Sequence, residues 1–67
     1  MAEREQQVRP SPAGGWDVVT AGSKRPNSHH ETNLQALTWA RAILRQSGGG
    51  RVVCLDRSGA VRETETV

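Results

Sequence analysis

The chain has a single cysteine, Cys54, so no disulfide can form within it. A lone thiol points toward a reducing, cytoplasmic setting. No apolar run approaches the roughly 20 residues that a membrane span requires, so no transmembrane segment and no membrane partner are expected. The opening stretch MAEREQQVRPSPAGG carries no apolar core of the kind a secretory leader needs. Charge of one sign is also scarce. Nine Lys and Arg against seven Asp and Glu leave a formal net charge of +2, and Lys24-Arg25 is the only adjacent basic pair. Nucleic-acid binders normally carry a basic cluster or stripe. Attraction from so small a net charge is screened within a Debye length of about 10 Å.

Reactive constellations are missing as well. No paired carboxylates stand at catalytic spacing. His29, His30 and Cys54 are the only histidines and cysteine, whereas structural zinc asks for four such ligands in paired short spacings. In a strand the two adjacent histidines face opposite sides, so they do not converge on one ion. Cys54 lies in VVCLD, the setting of a buried small hydrophobe rather than an activated nucleophile. Gly48-Gly49-Gly50 follows a helix, whereas phosphate loops precede one. No enzyme activity, cofactor or metal is expected.

With 67 residues, the chain makes at most one small domain. A core of that size contributes about 3–5 kcal/mol, and small proteins commonly add a disulfide, a metal or a partner subunit. Residues 1–14, with Pro10, Pro12 and Gly14 among mostly polar neighbours, have the composition of a disordered tail. The domain is expected over residues 15–67.

Within it, GWDVVT alternates as a strand, with Trp16, Val18 and Thr20 on one side and Asp17 and Val19 on the other. AGSKRPN carries turn chemistry in Gly22, Pro26 and Asn27, and SHHET returns as a second strand. From Thr32, Ala36, Leu37, Ala40, Ile43 and Leu44 fall within about 120° of arc, a core-facing helical stripe. Thr32 and Gln35 make a capping box, and the three glycines end the helix. Val52–Leu55 is apolar on both sides, as in a central strand. DRSG is a tight turn, and AVRETETV is a polar edge partner. The predicted fold is α+β, a β-β-α-β-β domain whose antiparallel sheet carries one helix on one face.

The chain resembles the bacterial family of unknown function DUF2188. The matching pieces are WDVV at Trp16–Val19, SHHET at Ser28–Thr32, Ala36-Leu37, Ala40-Arg41, Gly48-Gly49, Val52-Val53 and GAVR at Gly59–Arg62. Together they span about Gly15 to Glu63. Three departures stand out: Cys54 where the family tends to have histidine, Trp39 at a usually small position, and a last turn one residue longer. The resemblance implies a compact single-helix α+β domain from bacteria or their phages, and it implies no activity.

One helix covers one face of a sheet, so Val19 and Val53 are expected to leave bare apolar surface beneath. That surface, with Trp39 at the edge of the helix stripe, is the candidate interface for a homodimer or a protein partner. The alternative partner is nucleic acid, with Lys24, Arg25, His29, His30, Arg41, Arg45 and Arg51 as candidate contacts. Backbone amides at the helix start offer an anion site near those histidines unless Thr32 occupies them. The expected role is a non-catalytic binding module.

Overall fold

In the computed structural model, residues 4–67 are described. Five strands and one helix follow in the order β1 (Glu5–Pro10), β2 (Trp16–Thr20), β3 (Ser28–His30), α1 (Asn33–Gln46), β4 (Arg51–Leu55) and β5 (Val61–Thr66). They form one sheet in the order β3-β2-β1-β4-β5. The α+β class therefore stands, with a single helix roofing one face. Two parts of the sequence expectation need correction. The sheet has a fifth strand, and its central pairing, β1 with β4, is parallel; the other three pairings are antiparallel.

That fifth strand comes from the segment expected to be a tail. β1 is central, with β2 on one side and β4 on the other. The expected tail boundary at residue 14 is therefore wrong, and residues 1–3 lie outside those described. Composition misleads here because EQQVRP holds one strongly apolar residue, Val8. A central strand needs little hydrophobicity of its own when both neighbours supply it. Val8 is fully buried opposite Val18 and Cys54. Gln6 is only 5% exposed, yet its amide is satisfied by Thr20 Oγ1 at 3.1 Å and by Asn27 Nδ2 at 2.8 Å, as a buried polar group must be.

The helix follows its local code. Thr32 Oγ1 accepts the Gln35 amide at 3.1 Å, and Gln35 Oε1 accepts the Thr32 amide at 3.4 Å, completing the capping box. Beyond Ser47 the backbone of Gly48 turns left-handed (φ 94°), and the Gly49 amide reaches back to the Leu44 carbonyl at 2.7 Å, a glycine-terminated helix end. Ala36, Ala40 and Leu44 are fully buried against Val8, Val18 and Val52, flanked by Trp16, Leu37, Ile43 and Cys54. Two small alanines let the helix axis approach the sheet closely. Leu44 fills the remaining space.

The face away from the helix is not bare, contrary to expectation. Val19 and Val53 are only 2% and 7% exposed. Gln7 of β1 pairs with both of them, lying between the two valines on that face. Around this row, Gln7 Nε2 donates to Glu5 Oε2 at 3.1 Å, and Arg51 Nη2 donates to Glu5 Oε1 at 3.1 Å. The N-terminal segment thus closes the surface that a four-stranded sheet would leave open.

Candidate functional site

Chain direction sorts the charged residues into two ends. β1 and β4 run one way, and α1 runs back over them. The ends meeting beside Gln46 are therefore the start of β1, the β2–β3 loop and the start of β4. Backbone hydrogen bonds tie them: Arg51 N to Arg4 O at 2.9 Å, Ala21 N to Glu5 O at 3.1 Å and Asn27 N to Val18 O at 2.6 Å. A shallow hollow at this end is lined by Arg4, Glu5, Ala21, Asn27, Leu44 and Ser47. Among the described residues, the converging segments carry Arg4, Lys24, Arg25, Arg45 and Arg51, with the carboxylates of Glu5 and Glu65 beside them. Glu65 is bonded to Arg41 and is also acted on by Arg45.

The loop bearing Lys24 and Arg25 is held by a small polar cluster. Asn27 Nδ2 donates to Gln6 Oε1 and to Thr20 Oγ1, both at 2.8 Å. Ser23 Oγ accepts the Arg25 amide at 3.3 Å and donates to the Arg25 carbonyl at 3.2 Å, closing a tight turn. Arg4, Lys24, Arg25 and Arg45 form no side-chain hydrogen bond or ion pair among the described residues. Arg51 is paired with Glu5. These cations sit at the carbonyl end of α1, where positive charge is favoured by the helix dipole.

Seven residues are candidate anion contacts from the sequence, and the structure divides them. Lys24, Arg25, Arg45 and Arg51 gather at the basic end, and sequence reasoning misses Arg4 because its segment reads as a tail. Arg41 does not join them. Its Nε and Nη2 hold Glu65 at 2.7 and 2.8 Å in a bidentate pair. That pair holds the Glu65 carboxyl below the usual carboxylate range and raises the guanidinium value, with the hydrogen bond as the leading cause in both.

His29 and His30 lie at the opposite end, beside the helix start, so they do not share a site with Lys24 and Arg25. The two rings face opposite sides of the sheet. His29 Nδ1 meets Asp17 Oδ1 at 2.7 Å on the open face, while His30 stands 6.0 Å from Trp39 on the helix face and bonds Ser28 Oγ through Nε2 at 2.8 Å. At the helix start the capping box takes the Gln35 amide through Thr32 Oγ1 and the Glu31 and Thr32 amides through Gln35 Oε1. Neither histidine bonds to Cys54, which is half-buried and takes a long contact from Asn33 Nδ2 at 3.7 Å.

Apolar exposure is scattered. Trp39 is 47% exposed on one flank of α1, Leu34 is 68% exposed near the first turn, and Val61 is 60% exposed at the start of β5. Isolated residues of this kind are ordinary on protein surfaces. At the end remote from the cations, the DRSG turn forms as expected. Asp56 Oδ1 accepts the Ser58 hydroxyl at 2.6 Å, the Ser58 amide at 2.9 Å and the Ala60 amide at 3.1 Å. The Ser58 hydroxyl, then the Ala60 amide, hold the Asp56 carboxyl below its ordinary value. Among the described residues, no helix is long and apolar enough to cross a membrane.

Comparison with known proteins agrees with the sequence resemblance and extends it. The model of DUF2188, described as an uncharacterized protein conserved in bacteria, matches residues 6–67. The match starts inside β1, so this strand is part of the shared unit. No curated protein and no solved structure matches the chain.

Proposed function

This chain belongs to the DUF2188 family, conserved in bacteria, and we propose that it works as a non-catalytic cytoplasmic binding module for an anionic partner, a nucleic-acid backbone. The observation that carries this reading is the gathering of Arg4, Lys24, Arg25, Arg45 and Arg51 at one end: Arg51 is bonded to Glu5 and Arg45 acts on Glu65 at longer range, while Arg4, Lys24 and Arg25 form no side-chain bond or ion pair among the described residues. Sequence order scatters these residues, and the small net charge hides them. The other end offsets them, since Arg9, Arg57 and Arg62 stand there beside Asp17, Glu31, Asp56 and Glu63. A local excess of unpaired cations is what phosphate contacts require. Its chemistry is contact without reaction: the acid–histidine pair of Asp17 and His29 bonds to no hydroxyl or thiol among the described residues.

Fluorescence anisotropy of a labelled oligonucleotide, titrated across salt concentrations, tests the proposal. Binding at low salt is expected to weaken linearly in log–log form. The K24Q/R25Q/R45Q variant is expected to lower the slope by about 2–3, near 0.7–0.9 for each phosphate left unneutralised. Absence of binding at low salt, or binding indifferent to salt, would overturn it.

A second reading, a protein partner, has its own support. β5 ends the sheet order, is six residues long and is mostly exposed, so its outer backbone groups are open to strand addition. Self-association across the underside loses its basis, because Gln7 and its neighbours already cover Val19 and Val53.

A further inference from the structure

We propose that the outer edge of β5 accepts an extended segment of a different protein bearing basic side chains, and that the same edge is barred to a second copy of this chain. The inference rests on the protein-partner reading and adds the chemistry of the partner.

The register sets the charge of this edge. Cys54 pairs with Glu63 and Val52 with Glu65. Since Val52 lies in the core under the helix, both carboxylates stand on the helix-facing row, where Arg41 reaches Glu65. Thr64 and Thr66 occupy the other row. Pairing slips between Cys54 and Leu55, so the regular part of the edge is Glu63–Thr66.

Consider two copies of β5 pairing antiparallel about a two-fold axis normal to the sheet. Residues opposite one another then lie on the same face. Centred on Glu63, the axis sets that carboxylate against itself. Centred on Thr64, it sets Glu63 against Glu65 twice. Centred on Glu65, it sets Glu65 against itself and leaves only Thr64–Thr66 overlapped. Every regular register that overlaps three or more residues of the Glu63–Thr66 edge therefore opposes like charges, which destabilises a cross-strand pair. An incoming strand from another protein, with Lys or Arg opposite Glu63, meets the reverse situation. It gains the open backbone hydrogen bonds and supplies a bonded cation to Glu63, which Arg41 reaches only at longer range because its guanidinium is bonded to Glu65.

The test uses the full chain and two blocked pentapeptides, Thr-Lys-Thr-Lys-Thr and Thr-Glu-Thr-Glu-Thr, followed by amide NMR. The lysine peptide is expected to shift the amides of residues 63–66 and to bind roughly tenfold tighter than the glutamate peptide. A version N-methylated at alternate amides is expected to lose binding. Light scattering is expected to give a monomer for the native chain and a salt-sensitive dimer for Glu63→Lys, whose new lysine faces Glu65 of the second copy. Equal binding of both peptides at β5 would keep strand addition and overturn the charge rule. Binding of neither would leave the carboxylates as a guard alone and overturn both. A native dimer joined through β5 would overturn the exclusion of self.

Discussion

The carbonyl oxygen of Arg4 accepts the backbone amide of Arg51 at 2.9 Å, joining the first described residue of the chain to the start of β4. This bond begins the parallel ladder that makes β1 the middle of the sheet. Removing residues 1–10 should therefore unfold the protein rather than trim it. Circular dichroism of the truncated chain should lose both helix and sheet signals, since α1 packs its buried stripe on β1 and β2. A truncated chain that keeps a cooperative thermal transition would refute the central placement of β1.

Gly50 follows from the same junction. Its φ of 153° lies in the region L side chains rarely adopt, and an added Cβ would run into the Arg4 carbonyl and approach Leu44. Gly50→Ala should destabilise by more than the roughly 1 kcal/mol that separates glycine from alanine in ordinary elements. Gly22→Ala serves as the control. Gly22 shares a positive φ of 85° but meets nothing within 4 Å, so the difference between the two variants in urea unfolding isolates the clash.

Gln6 links the core to the basic end. Replacing it by Ala leaves Asn27 and Thr20 without their shared partner, at a cost of about 1–3 kcal/mol. Hydrogen exchange at Asn27 should accelerate as well, because the β2–β3 loop loses its tether. If the proposed phosphate contacts hold, this variant weakens oligonucleotide binding without removing any charge.

Acid should destabilise the fold in a defined direction. Glu65, held by Arg41, and Asp56, held by the Ser58 hydroxyl and the Ala60 amide, both titrate below their ordinary values in the folded chain. The unfolded chain therefore takes up protons first as pH falls. The stability these groups contribute is complete above the usual carboxylate range, about 4, and is lost as pH drops through the lower folded-state values. Glu65→Gln and Asp56→Asn should each flatten the acid limb of a pH–stability curve; an unchanged limb would contradict the assignments.

Trp39→Ala should leave the solution mass unchanged and shift stability by less than about 1 kcal/mol. The ring is 47% exposed, and its aromatic neighbour is His30, 6.0 Å away in a tilted arrangement. A fall in mass on this substitution would restore a dimer through the helix flank.

Much of this protein is written locally. The helix is specified by Thr32, Gln35, the Ala36–Ala40–Leu44 stripe and the glycines after Ser47, all within one contiguous stretch. Asp56 and Ser58 settle their own turn in the same way. Caps, turns and helical periodicity depend on residues a few positions apart, so reading the chain in order recovers them, and with them the α+β class.

β1 is different. EQQVRP has no pattern that marks a central strand, because Val18, Val52 and Leu44 supply the apolar surroundings that bury Val8, and Thr20 and Asn27 supply the hydrogen bonds that let Gln6 enter. The same holds for charge. Arg4, Lys24, Arg25, Arg45 and Arg51 are dispersed along the chain and come to one end only because β1, α1 and β4 alternate in direction. By itself, then, the sequence determined the helix, its caps and its turns. Tertiary structure alone decided which strand lies at the centre, that the underside is covered, and where the cations meet, since each depends on groups brought together from distant parts of the chain.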